Sequence, residues 1–176
     1  MKNTIPLFLA LILTHCTNVE NKTAMEPASS PDTLRYAFKA NYSSDITSPS
    51  KPEIGQMVMG IWKMFENKQI DSLKKYYADT VTYDNSDGFH FHGSSDDLLN
   101  FARKDVQNLD SLRFDVSMWE SLHLNDRNED WVFIWSTERR YEKSGKADTT
   151  MIHEQWKVEN GKVSYFNQYT KKPARK

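Results

Sequence analysis

The stretch Trp156-Lys-Val-Glu-Asn-Gly-Lys-Val-Ser-Tyr-Phe-Asn-Gln-Tyr169 decides the fold. Asn160-Gly161 is a type I′ turn signal, because both residues tolerate the positive φ that this turn demands. Apolar and aromatic residues on either side make two strands, Thr149 to Val158 and Lys162 to Thr170. Upstream, Ser144-Gly145 marks another turn, and Trp131 to Lys143 a further strand. Before that, Leu112, Phe114, Val116, Met118, Leu122 and Leu124 share one face of a long strand at period two. Consecutive strands joined by short turns pair antiparallel. Strands of about ten residues exceed the usual five or six, which predicts a bent sheet.

Before residue 112 the period is helical. Ile54, Met57, Val58, Ile61, Met64 and Phe65 predict a helix over 53–66, and Ile70, Leu73 and Tyr77 a shorter one over 69–77. Thr80 to Asn85 reads as a strand, Ser86-Asp-Gly88 as a turn, and 89–93 as a second short strand. Ser94 or Ser95 caps a third helix, with Asp96 and Asp97 in the first turn, where the helix dipole favours anions. Leu98, Ala102, Val106 and Leu109 form its inner stripe. The expected class is α+β: three helices packed on a strongly bent antiparallel sheet, forming a cone with a cavity inside.

This order resembles the NTF2-like superfamily, also called the SnoaL-like or ketosteroid-isomerase-like fold. The likeness is carried by Phe65-Glu-Asn-Lys-Gln-Ile-Asp-Ser-Leu-Lys-Lys-Tyr-Tyr-Ala-Asp-Thr-Val-Thr-Tyr83, by Gly93 ahead of a helix, and by Trp156 through Tyr169. It spans 53–170. The superfamily includes isomerases, cyclases, dehydratases, hydrolases and non-catalytic binding domains, so the resemblance implies a pocket and no single activity.

The N-terminal end reads as an export signal over 1–15. Lys2 gives a short positive region, and Ile5 to Leu13 an apolar run too short to span a bilayer. The run ends at Leu13-Thr-His-Cys16, which holds the single cysteine of the chain. This resembles a bacterial lipoprotein signal, with Cys16 as the lipidated residue and His15 departing from the small residue preferred there. The expected location is the bacterial cell envelope, anchored through lipid on Cys16. An ordinary secretory signal, giving a secreted or periplasmic protein, is the alternative. Residues 16–52, rich in Ser, Thr, Asn and Pro, read as a tether. Within it Leu34, Tyr36, Phe38 and Tyr42 are apolar enough to dock on the domain at 53–172. Residues 173–176 form a basic tail. The formal net charge is −1, and cleavage before Cys16 would remove Lys2 and no acid, leaving −2. Neither value suggests a nucleic-acid partner. No cofactor motif is present: there is no Gly-rich phosphate loop.

Alternation along the strands predicts the cavity lining. Glu154 shares its parity with Ile152, Trp156 and Val158. Burial there would raise its pKa and suit it to general acid/base work; the plain alternative is a Glu at the cavity mouth, hydrated or paired with Arg139 or Lys157. The same rule points Tyr83 and Asn85 inward with Val81, Tyr165 and Asn167 inward with Val163, and Glu120 inward with the apolar set of its strand. Glu154 is thus the candidate catalytic residue. Tyr83, Asn85, Glu120, Trp156, Tyr165 and Asn167 are the candidate ligand-binding set. His90 and His92, on one face of an extended segment, are an alternative metal pair without a third ligand fixed by spacing.

A ketosteroid-isomerase mechanism is not expected. Aligned through Ala78-Asp79, the position of that family's Tyr falls on Ile61 and that of its Asp base on Asn85, with Glu154 near the third. Trp131, Phe133 and Trp135 face away from Val132 and Ile134, so their strand is apolar on both sides and is expected to be covered on both. A homodimer through this outer face is one expectation; the 33–42 segment folding over it is the other. Three functions follow: a binding domain for a small, largely apolar ligand, a SnoaL-like enzyme using Glu154, or an interaction module whose cavity Trp156, Tyr83 and Phe114 fill.

Overall fold

The computed structural model describes residues 38–174. The expected signal sequence, Cys16, Leu34, Tyr36 and the last two residues lie outside them. In chain order come β1 (Ile46–Thr47), α1 (Pro52–Glu66), a 3-10 helix (Ile70–Tyr76), β2 (Tyr77–Asn85), β3 (His90–Ser94), α2 (Ser95–Gln107), β4 (Leu109–Leu124), β5 (Glu129–Glu142), β6 (Ala147–Glu159) and β7 (Lys162–Lys171). The strands form one sheet in the order β1-β4-β5-β6-β7-β2-β3.

Local chemistry explains the ends. Pro52 opens α1, where a missing N–H costs nothing. Ser94 caps α2, its hydroxyl accepting from the Asp97 N–H at 3.1 Å. Asn160 and Gly161 take φ of 53° and 74°, as the type I′ turn requires. Gly55 lets α1 lie against the sheet: a Cβ there would stand 2.2 Å from the Trp119 ring. The core gathers Val58, Ile61 and Trp62 of α1, Leu98 and Leu99 of α2, and Val132, Ile134, Trp156 and Val163 of the sheet.

Four departures from the sequence reading matter. Leu109 begins β4 rather than ending α2. The sheet is mixed, because β2 runs parallel to β7; these strands are far apart in sequence, so no hairpin sets their direction. The chain joins the sheet before residue 53: Ile46 and Thr47 pair with Leu124 and His123, and the Ser50 N–H reaches the Ser121 carbonyl at 2.9 Å. Finally, two strands carry an extra residue. In β4, Val116 pairs with Ser136 but Met118 with Trp135, leaving Ser117 as the bulge. In β7, Val163 pairs with Val158 but Tyr165 with Lys157, leaving Ser164 as the bulge. Each bulge exchanges the two faces of everything beyond it.

Candidate functional site

The cone holds a cavity of about 390 Å³, within the usual range for small-molecule sites. Each wall follows from the fold. The inner face of α1 contributes Ile61, Trp62 and Phe65, α2 contributes Leu98, Phe101, Ala102 and Asp105, and β4 contributes Phe114. The sheet supplies Tyr83, Glu138, Arg140, Glu154, Trp156, Phe166 and Gln168. Tyr83, Phe166 and Trp156 stack in a row, with ring centroids 4.4 and 4.7 Å apart. Trp62 and Phe114 pack opposite each other at 4.5 Å. These aromatics line the cavity without filling it. Phe89 and Phe101, 45% and 49% exposed, also line it and pack edge to face.

Glu154 lies in this wall, 6% exposed. Its two carboxylate oxygens accept from Trp156 Nε1 at 2.7 Å and Gln168 Nε2 at 2.8 Å. Burial dominates and raises its pKa to about 7; the Gln168 and Trp156 donors oppose, and the charge of Glu138 adds to the rise. A carboxyl poised near neutrality can take or give a proton. The expected hydrated alternative does not occur: Arg139 pairs with Asp115, and Lys157 with Glu129 and Glu159. Tyr83 also lines the cavity, its hydroxyl 3.4 Å from Gln168 Oε1. Burial first, then the Glu154 charge, pushes its pKa up to about 12.

The remaining candidates divide. Trp156 lines the cavity as expected. Tyr165 and Asn167 do not, because the Ser164 bulge turns them outward and brings in Phe166 and Gln168 instead. Tyr165 packs against Trp131 on the outer face. Glu120 is likewise turned out by the Ser117 bulge, pairing with Phe133 and accepting from the Ser48 hydroxyl. Asn85 closes the hairpin turn, its Oδ1 accepting the N–H groups of Asp87 and Phe89 at 2.9 Å each. His90 bonds Asp84 at 2.6 Å and His92 bonds Thr82 at 2.8 Å. Among the described residues no group of three or more His, Cys, Asp or Glu is placed to hold a metal.

Besides Gln168, three polar lining residues were missed from sequence. Glu138 and Arg140 lie on β5 and Asp105 on α2. The Arg140 guanidinium donates to Asp105 at 2.7 Å and to Glu138, and both bonds raise its pKa against the opposing effect of burial. Their signal was available. Glu138 and Arg140 continue the inward parity of Val132, Ile134 and Ser136, and Asp105 is three residues from Ala102 on the inner stripe of α2.

On the outer face Trp131, Phe133, Trp135 and His153 form a ladder, with the Trp135 and His153 rings 4.5 Å apart. Tyr42 packs edge-on against Trp131 and donates to Glu129 at 2.6 Å, so the chain covers one end of this face itself. Phe133 and Trp135 remain half-buried, with Met118, Met151 and Tyr169 exposed.

No family model and no curated protein matches the sequence. Among solved structures, 253 chains match, so the fold recurs too widely to select a function. One is an LEH-like epoxide hydrolase of M. tuberculosis, 12% identical with a TM-score of 0.59, covering 70% of this chain and 86% of its own. Another is an NTF2-like protein of unknown function from Burkholderia pseudomallei, 18% identical with a TM-score of 0.55, covering 67% and 90%. A third is a SnoaL-like protein from Shewanella denitrificans, 12% identical with a TM-score of 0.54, covering 69% and 92%. The chain therefore has the NTF2-like fold.

Proposed function

We propose that the cone binds a small, largely apolar molecule bearing one polar group, and that Glu154 meets that group. The observation that supports this best is a buried carboxyl, held by two N–H donors, in the wall of an open aromatic cavity of about 390 Å³. Apolar lining supplies affinity, and a few placed polar groups supply orientation. The leader and Cys16 favour a domain tethered at the cell envelope, and the half-buried Phe133 and Trp135, with Met118, Met151 and Tyr169 exposed beside them, favour a homodimer. The cavity reading is tested by mass spectrometry of small molecules extracted from purified protein. A ligand should co-purify with the wild type and be lost in Ala102→Trp, which fills the cavity from α2. An empty wild type that also fails to take up apolar probes would refute the reading.

A second reading, acid/base catalysis, is favoured by the near-neutral Glu154. The M. tuberculosis neighbour is an epoxide hydrolase, and a carboxylate near neutrality can activate water. An aryl epoxide is therefore the first substrate to try. Turnover abolished by Glu154→Gln would support catalysis; equal rates in both proteins would exclude Glu154 as the base.

A further inference from the structure

We propose that the polar group selected by the cavity is an organic ammonium, held among Asp105, Glu138 and Glu154. The inference rests on the binding reading above and names the ligand class. It follows from counting the charges that face the interior. Among the described residues, three carboxylates line the cavity and one cation, Arg140. That cation is already committed, bonded to Asp105 at 2.7 Å and to Glu138. Its charge is met twice over, so this group carries a net negative charge before Glu154 is considered.

The other groups packed around Glu154 add no positive charge. Trp62 comes from α1, Tyr77 and Tyr83 from β2, Trp156 from its own strand, and Gln168 from β7. Tyr77 and Tyr83 are held in their neutral form, by burial and then by the Glu154 charge. Lys171 and Lys172 line an adjoining pocket together with Asp87 and do not line the cavity itself, and Lys172 is bonded to Asp148 at 2.5 Å. An anionic ligand would therefore enter an apolar space whose fixed charge is negative, where the one cation among the described lining residues, Arg140, is already bonded to two carboxylates. A neutral polar group would gain an ordinary hydrogen bond. An ammonium would gain an attraction to carboxylate that the surrounding apolar wall strengthens.

Proton linkage gives the inference a signature. Glu154 is largely protonated in the empty cavity below pH 7. A bound cation favours its carboxylate, so the proton leaves to solvent as the ligand binds. Affinity for the cation should then rise with pH through neutrality, while affinity for an uncharged isostere should not.

The experiment compares phenyltrimethylammonium with its neutral isostere tert-butylbenzene by calorimetry on the folded domain between pH 5.5 and 8.5. The expected result is at least about a tenfold gain in ammonium affinity across this range, equivalent to a Glu154 pKa lowered by one or more on binding. The ammonium should also bind more tightly than the isostere at pH 8.5. Glu154→Gln should abolish the pH dependence. Asp105→Asn, on the more exposed side chain of the cluster, should weaken ammonium binding severalfold and keep the pH dependence. Binding of tert-butylbenzene alone, or ammonium affinity independent of pH, would overturn the amine inference and leave the cavity reading standing. Binding of neither probe would overturn both.

Discussion

Replacing Glu154 by Gln isolates the buried carboxyl. The ordinary value of 4.5 rises to about 7 in the folded chain. At about 1.4 kcal/mol per decade of acidity, that rise amounts to about 3 kcal/mol. The sign follows from proton binding. Between pH 4.5 and 7 the folded state holds this proton and the unfolded state releases it, so stability falls as pH rises. The contribution is full below 4.5 and is lost by the time pH has passed through about 7. The whole chain contributes to the pH dependence of unfolding, so the quantity to measure is a difference. Urea unfolding of wild type and Glu154→Gln at half-unit steps from pH 4 to 8.5 should show the two free energies diverging. The wild type should lose about 3 kcal/mol relative to the variant, most of it between pH 5 and 7. Gln offers one acceptor and two donors where Trp156 and Gln168 both present N–H groups, so the variant should also carry a constant offset. Only the slope tests the reasoning. Parallel curves would mean that Glu154 titrates in water and is not the buried acid/base described above.

Four further outcomes are expected. In a bacterial host the full-length chain should fractionate with membranes and Cys16→Ser should not; a wild type released in soluble form would refute the anchor. Phe133→Glu should convert a dimer to a monomer in light scattering, since buried aromatics of roughly 150–250 Å² each suffice for an interface core; a monomeric wild type at micromolar concentration would refute it. Glu66→Ala should cost about 1–3 kcal/mol in chemical unfolding, because Glu66 is buried and accepts the Phe114 N–H at 2.9 Å besides pairing with Lys63; a neutral effect would show that water replaces it. Rapid isomerisation of a β,γ-unsaturated ketosteroid should be absent, because Ile61 stands in the cavity wall and Asn85 in the hairpin turn.

Element order was legible because periodicity is strong where one face is buried. The helix over 53–66, the turn at Asn160-Gly161 and the inward set Ile152, Glu154, Trp156 and Val158 all precede the Ser164 bulge in the chain and keep their expected faces. The misplaced side chains lie beyond bulges. Ser117 and Ser164 are small, polar and unremarkable in sequence, yet each turns its strand over, sending Glu120, Tyr165 and Asn167 outward. Asn85 failed for a different reason: at a strand end its amide answers to the backbone of the turn rather than to the pleat. Glu138 and Arg140 were overlooked although their parity was readable, because charged residues near the end of an apolar strand suggest a solvated rim. The mixed sheet was hidden because β2 and β7 meet through tertiary structure alone.

The central claim is that a small apolar molecule enters the cone beside Glu154. The chain has five Trp, two of which line the cavity, Trp62 and Trp156, while Trp131 and Trp135 lie on the outer face of the sheet. Following the indole N–H resonances in an ¹H–¹⁵N spectrum during addition of tert-butylbenzene therefore reports where the molecule goes. The account predicts saturable shifts of Trp62 and Trp156 together, with Trp131 and Trp135 unmoved. Saturable shifts confined to Trp131 and Trp135, or no saturable shift at all, would contradict it.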